Sequence, residues 1–140
     1  MLYNHQDCID LIERELINDP TFLPLPRAAI PDYYAKIDQN TCFEKQYKNE
    51  EIAGFIAFYC SDTLSKEAFI TMMLIDKKYR RLRIATQLLY QVMINLKDKG
   101  FEQCSLAVRL HNAKAIALYK GYGFVVTHSD ADSLFMTLQL

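Results

Sequence analysis

The sequence predicts an α/β domain built on a sheet of mixed direction, and three observations carry that reading. Near Thr41 the apolar periodicity changes from a helical repeat to alternation, the pattern of half-buried strands. Further on, Ile84, Leu88, Val92 and Leu96 recur every four residues and mark a strongly amphipathic helix set among strands. Polar turns join the strands before that helix, so those neighbours form hairpins, whereas the strand that follows it is reached by a crossover and runs parallel. The expected order is helix, helix, three strands, helix, strand, helix, two strands.

Residues 7–18 place Cys8, Ile9, Ile12, Leu16 and Ile17 on one stripe, and Asp19-Pro20 stops the helix. All four prolines fall between Pro20 and Pro31, so Phe22-Leu23-Pro24-Leu25-Pro26 reads as an apolar loop. A short second helix over 31–39 then carries proline in its first turn. Segments 41–47 and 52–60 are rich in aromatic and β-branched residues and form a hairpin about Lys48-Asn49-Glu50-Glu51. A turn at Ser61-Asp62-Thr63 leads to a third strand over 68–75. The amphipathic helix closes at Lys97, Lys99 and Gly100, which suit a helix C-terminus by charge and by backbone freedom. A strand over 104–110, a helix capped by Asn112 and ending at Gly121, and a hairpin of 124–128 with 134–140 complete the chain.

With 140 residues, 51% hydrophobic and 24% charged, residues 1–140 make one globular domain with a real core. No apolar run reaches 18 residues and no basic-then-apolar leader opens the chain, so a cytoplasmic protein without membrane contact is expected. Cys8, Cys42, Cys60 and Cys104 stand apart with no Cys-x-x-Cys pair, which predicts reduced thiols, no metal site and no disulfide framework. A net charge of −1 disfavours nucleic acid as a partner. The charge is uneven, however: Lys77, Lys78, Arg80, Arg81 and Arg83 are five of sixteen basic residues, and the remainder of the chain carries −6.

That basic knot lies where the third strand meets the amphipathic helix. Free amide N–H groups and the helix dipole form an anion site there, and added arginines suit a pyrophosphate. A solvated turn accounts for the same residues. In the second notable stretch, Asn112 to Phe124, helix capping and an aromatic core residue at Tyr119 are sufficient explanations taken singly. Together the two stretches resemble the GNAT superfamily of N-acetyltransferases. Its acetyl-CoA loop reads Arg/Gln-x-x-Gly-x-Gly/Ala and is followed by Asn-x-x-Ala-x-x-Leu-Tyr-x-x-x-Gly-Phe. Here the loop is Arg80-Arg81-Leu82-Arg83-Ile84-Ala85, with Arg83 at the first glycine, and the second motif matches at Asn112, Ala115, Leu118, Tyr119, Gly123 and Phe124. By element order the resemblance spans residues 41–140.

The resemblance implies a mixed, mostly antiparallel sheet of six to seven strands with four helices, its central parallel strands splayed for acetyl-CoA. A strand preceding the first helix would have only Met1 to Gln6 to draw on. It further implies that pantetheine lies on the backbone of Met73, Leu74 and Ile75. The pyrophosphate would rest on the loop of Arg80, Arg81, Leu82, Arg83, Ile84, Ala85 and Thr86. Asn112 would bond the pantetheine arm, and Tyr119 would donate a proton to the departing thiolate, with an amide near Leu74 meeting the oxyanion. The implied activity is acetyl transfer from acetyl-CoA to a primary amine of a small molecule, amino sugars being one class suggested by Phe22-Leu23-Pro24-Leu25. Protein N-terminal acetylation of the ribosomal-protein type and a non-catalytic acyl-CoA module are the alternatives.

The base is the open role. Relatives of the ribosomal-protein type carry Leu-Glu-Val-Arg on the fourth strand, where the glutamate takes the proton; this chain reads Leu106-Ala107-Val108-Arg109. His111 heads the remaining candidates, followed by Glu67, Asp62, His128 and ordered water. Phe22, Leu25, Tyr33, Tyr34 and His128 are candidate acceptor-lining residues. A monomer or homodimer is expected.

Overall fold

Amphipathic stripes decide which face each helix buries. The computed structural model describes residues 3–140, and in it α1 (Gln6–Asn18) turns Cys8, Ile9, Leu11 and Ile12 inward. A 3-10 turn, Arg27–Ala29, leads into α2 (Ile30–Asn40). Six strands follow among the described residues: β1 (Cys42–Lys48), β2 (Glu51–Tyr59), β3 (Glu67–Ile75), β4 (Gln103–Arg109), β5 (Val125–Ser129) and β6 (Ser133–Gln139). Between them stand α3 (Ile84–Asp98) and α4 (Ala113–Tyr122). The sheet order is β1-β2-β3-β4-β6-β5, and β3–β4 is its parallel pair. The predicted mixed α/β architecture is therefore present.

No strand precedes α1 within Tyr3–His5, and Met1 and Leu2 lie outside the described residues. The segment docks on α2 instead. Buried Asp38 accepts hydrogen bonds from the amides of Asn4 (2.9 Å) and His5 (2.7 Å). These tie the residue before the helix and its N-cap, His5, to α2, while the His5 side chain makes no capping bond of its own.

Two cores sandwich the sheet. On one face α3 and α4 pack against β2, β3, β4 and β6, with Leu88, Leu89, Val92 and Leu96 meeting Ile56, Phe58, Leu106 and Met136. On the other, α1 and α2 cover β2 and β3, where Ile9, Ile12 and Ile37 meet Phe55, Ala57, Met72 and Leu74. No buried residue of this second core comes from β4, β5 or β6.

Several details depart from expectation. The fourth helix runs through Gly121 to Tyr122 and stops at Gly123, whose φ of 124° belongs to glycine, while its N–H reaches back to the carbonyls of Tyr119 and Lys120. A 3-10 turn, Lys77–Tyr79, forms where a plain loop was expected, because Asp76 accepts the Lys78 amide at 2.9 Å. Cys42 and Cys60 are joined as a disulfide across the β1–β2 hairpin, correcting the expectation of four thiols, while Cys8 and Cys104 remain free and buried. Strand pairing, not sequence spacing, brings the two together. No helix is long and apolar enough to cross a membrane, and no cluster of metal-ligating side chains occurs among the described residues.

Candidate active site

A slot through the sheet is the central feature. β3 and β4 pair only over Glu67–Ile70 with Gln103–Leu106, and beyond Ile70 they separate. The cause is local: the β2–β3 register shifts between Ala57↔Met72 and Phe58↔Ile70, which leaves Thr71 as a bulge at the end of the parallel ladder. A bulge increases local twist and bends its strand away from its neighbour. β4 keeps its pairing with β6 through to Arg109↔Ser133, so it is β3 that leaves. The predicted divergence at Met73–Ile75 and Ala107–Arg109 is present.

Strand alternation assigns the free backbone. The Asp76 N–H donates to the Ala53 carbonyl at 2.7 Å, so Leu74, two residues back, also directs its main chain at β2. Met73 and Ile75 then direct theirs at the slot. Arg80 Nε already donates to the Ile75 carbonyl at 3.1 Å. Met73 thus presents its free amide to the slot, whereas Leu74 is committed to the ladder and its side chain to the α1–α2 core.

The loop beyond β3 sorts its cations. Arg80 is held by both carboxylate oxygens of Glu15 (2.9 and 3.1 Å), and Lys78 by Glu51 (2.8 Å). Arg81 and Arg83 enter no ion pair among the described residues. Arg83 stands at the N-cap of α3 with φ 62° and ψ 18°, the left-handed conformation that a glycine would adopt freely. The backbone thus keeps a glycine's geometry without the glycine. The first intrahelical bond runs from the Gln87 N–H to the Arg83 carbonyl (3.1 Å), so the amides of Ile84, Ala85 and Thr86 have no helical acceptor and are free to meet an anion. Leu82 is an exposed loop residue.

A cleft of about 560 Å³ occupies the splay, bounded by Ile70–Met73 of β3, Leu106–Arg109 of β4, Asn112, Ala115 and Tyr119 of the α4 region, and the Asp19–Leu25 loop with Tyr33. Tyr119 is 6% exposed and packs edge-on against Phe124 at 5.7 Å. Burial, with the Cys104 thiol as a lesser influence, pushes its hydroxyl up to about 12, so it stays protonated. Asn112 accepts the Ala115 amide at 3.3 Å through its side-chain oxygen, the cap read from sequence, and this leaves its amide nitrogen for a ligand.

Of the base candidates, His111 lines the cleft. Glu67 and Asp62 lie in a separate depression with Tyr59 and Phe69, and His128 stacks on Phe135 at 4.3 Å on the outer hairpin. Phe22, Leu25 and Tyr33 line the cleft as expected, and burial raises the Tyr33 hydroxyl to about 12. Tyr34 lines a second cavity between α1 and α2 instead. Asp19, read from sequence only as a helix stop, stands on the cleft wall. Its carboxylate accepts from the Thr21 amide (3.0 Å) and hydroxyl (2.6 Å), and these bonds, with Arg109 and His111 as lesser influences, hold it below the usual range.

A bulge-driven slot, a basic loop with unpaired amides after β3 and a buried tyrosine on the cleft wall are the arrangement that the acetyltransferase resemblance implied. The Acetyltransferase (GNAT) family matches residues 10–124, and the chain belongs to that family. An N-alpha-acetyltransferase from Sulfurisphaera tokodaii is 29% identical, covering 79% of this chain and 78% of that protein. A solved acetyltransferase of the GNAT family from Staphylococcus aureus Mu50 shares the fold with a TM-score of 0.78, at 24% identity over 99% of this chain and 96% of that one. A GNAT family acetyltransferase from Elizabethkingia anophelis, solved with acetyl-CoA bound, gives a TM-score of 0.69 at 20% identity, covering 89% of this chain and 87% of its own.

Proposed function

We propose that this chain is an acetyl-CoA-dependent N-acetyltransferase acting on the primary amine of a small molecule. The observation that carries the reading is the bulge at Thr71, which frees the Met73 main chain in the cleft that Tyr119 also lines. Acetyl-CoA would supply a thioester whose carbonyl is open to an amine. Met73 and Ile75 would hold its pantetheine arm by main-chain bonds, with the Asn112 side-chain nitrogen opposite. The amides of Ile84, Ala85 and Thr86, flanked by Arg81 and Arg83, would take the pyrophosphate.

Tyr119 would face the sulfur. A phenol raised to about 12 transfers its proton to an aqueous thiolate, conjugate acid ~8.5, only at a cost of about 5 kcal/mol. The same burial raises the thiolate, which narrows that gap. Tyr119 therefore acts chiefly as a hydrogen-bond donor whose bond strengthens as charge gathers on sulfur. His111, at the mouth of the cleft, takes the proton from the acceptor ammonium, directly or through water.

Acetylation of protein N-termini is the second reading, favoured by the Sulfurisphaera relative. Against it stands Ala107, which puts a methyl group on the β4 wall where the ribosomal-protein type carries its glutamate. The deciding experiment is thiol release from acetyl-CoA with wild type and Tyr119→Phe, using a panel of small amines, amino sugars and N-terminal peptides. Turnover of small amines, lowered in the variant, supports the proposal. Turnover of peptides alone supports the second reading, and binding of acetyl-CoA without any turnover supports a non-catalytic module.

A further inference from the structure

The acceptor side of the cleft carries two opposite charges that do not satisfy each other. Asp19 caps the end of α1, and its Oδ1 is fixed by Thr21, which leaves Oδ2 without a hydrogen bond among the described residues. Arg109, the last residue of β4, lines the opposite wall. It enters neither an ion pair nor a side-chain hydrogen bond among the described residues. Arg109 adds a lesser electrostatic pull to the Thr21 bonds that hold the Asp19 carboxylate charged, yet the two side chains form no ion pair within 4.0 Å. His111 and Ser133 complete the polar rim, and Phe22, Leu25 and Tyr33 supply the apolar body.

Resting on the function proposed above, we infer that the acceptor is a primary amine that also carries an anionic group, a carboxylate or a phosphate, so that its ammonium faces Asp19 and its anion faces Arg109. A simple monoamine would leave Arg109 without a partner in a partly desolvated cleft, and a diamine would add a second cation beside it. A zwitterion sets its dipole against that of the cleft and satisfies both charges at once. Arg109 suits either anion, since its planar fork binds carboxylate and phosphate by paired hydrogen bonds. Arg109 is accordingly a specificity-determining residue, and Asp19 anchors the ammonium until His111 takes the proton.

The test is steady-state thiol release with ω-amino acids of three to five carbons, the alkylamines and diamines of the same lengths, and the matching aminoalkyl phosphates. The expected result is a kcat/KM for at least one anionic acceptor about tenfold above its alkylamine, the order of one charge-assisted bond. That advantage should appear in KM, vanish in Arg109→Gln and return in part in Arg109→Lys. The carboxylate and phosphate arms identify which anion fits. Alkylamines or diamines turned over as well as the anionic acceptors, or an advantage that survives Arg109→Gln, would overturn the inference while leaving the acetyltransferase reading intact. Failure to bind acetyl-CoA in a calorimetric titration would sink that reading, and this inference with it.

Discussion

Replacing Arg83 separates two effects that one residue combines. With φ 62° and ψ 18°, Arg83 carries a left-handed conformation that costs a residue with a Cβ roughly 1–2 kcal/mol. Arg83→Gly removes that cost but adds roughly 0.5–1 kcal/mol of unfolded-state entropy to be lost on folding. The net expectation is about 0.5–1 kcal/mol of stabilisation, a rise in Tm on the order of 2–4 °C for a domain of this size. Arg83→Ala keeps the strain and should leave Tm unchanged within error. Affinity moves the other way. The exposed guanidinium can fold over the pyrophosphate and offset the closer approach that a glycine would allow, a contribution of about 0.5–1 kcal/mol, or two- to fivefold in Kd. Calorimetric titration with acetyl-CoA at low and high salt, beside thermal melts, should show both variants binding more weakly and with a smaller salt dependence. Tighter binding by both variants would refute the compensating role, and a glycine variant with unraised Tm would refute the strain argument.

Other substitutions probe separate parts. Tyr119→Phe keeps the ring against Phe124 and removes the donor, so kcat should fall with the Kd for acetyl-CoA nearly constant, read by single-turnover kinetics and titration. Asp38→Ala strips two charge-assisted bonds from the start of α1 and should lower stability in urea by about 2–4 kcal/mol. At Asp7 burial pushes the carboxyl up, but hydrogen bonds from Tyr47 (2.6 Å) and Lys45 (2.9 Å) outweigh it and hold it below 3.8. A depressed carboxylate contributes stability that is complete above its unfolded value and is lost as pH falls through the folded one. Asp7→Asn should therefore flatten the acid limb of stability below about pH 4 and reduce the difference in urea midpoint between pH 6 and pH 3.

Elements set by local periodicity were the legible ones. The Ile84–Leu96 stripe specifies α3 by itself, and alternation with polar turns specifies the β1–β2–β3 meander. The end of α4 was misread by two residues because Gly121 and Gly123 both look like stops; the positive φ at Gly123, set by the turn back to Tyr119, decides between them. The slot's location was legible only through resemblance, and its cause was not legible at all, since Thr71 looks like an ordinary strand residue until β2 fixes the register. Which amide faces the slot follows from that same register, which turns the main chain of Met73 to the slot and that of Leu74 to β2. Asp19 escaped notice because a helix stop explains it fully in one dimension, and only the fold brings it opposite Arg109.

The second core stops at β3, and this makes the sheet two plates sharing a short seam. One plate, β1-β2-β3, carries α1, α2 and the loop with Phe22 and Leu25; the other, β4-β6-β5, has its α1-facing side bare. The four register pairs from Glu67↔Gln103 to Ile70↔Leu106 are the seam, clamped from beneath by α3 and α4. A change of dihedral angle between the plates widens or narrows the cleft without breaking any other ladder bond. The loop with Phe22 and Leu25 rides on one plate while Arg109 rides on the other, so a ligand gripping both would be a strut across the joint. Amide exchange at Met72–Ile75 and Ala107–Arg109 in the presence of such a ligand would report how far it stiffens the molecule.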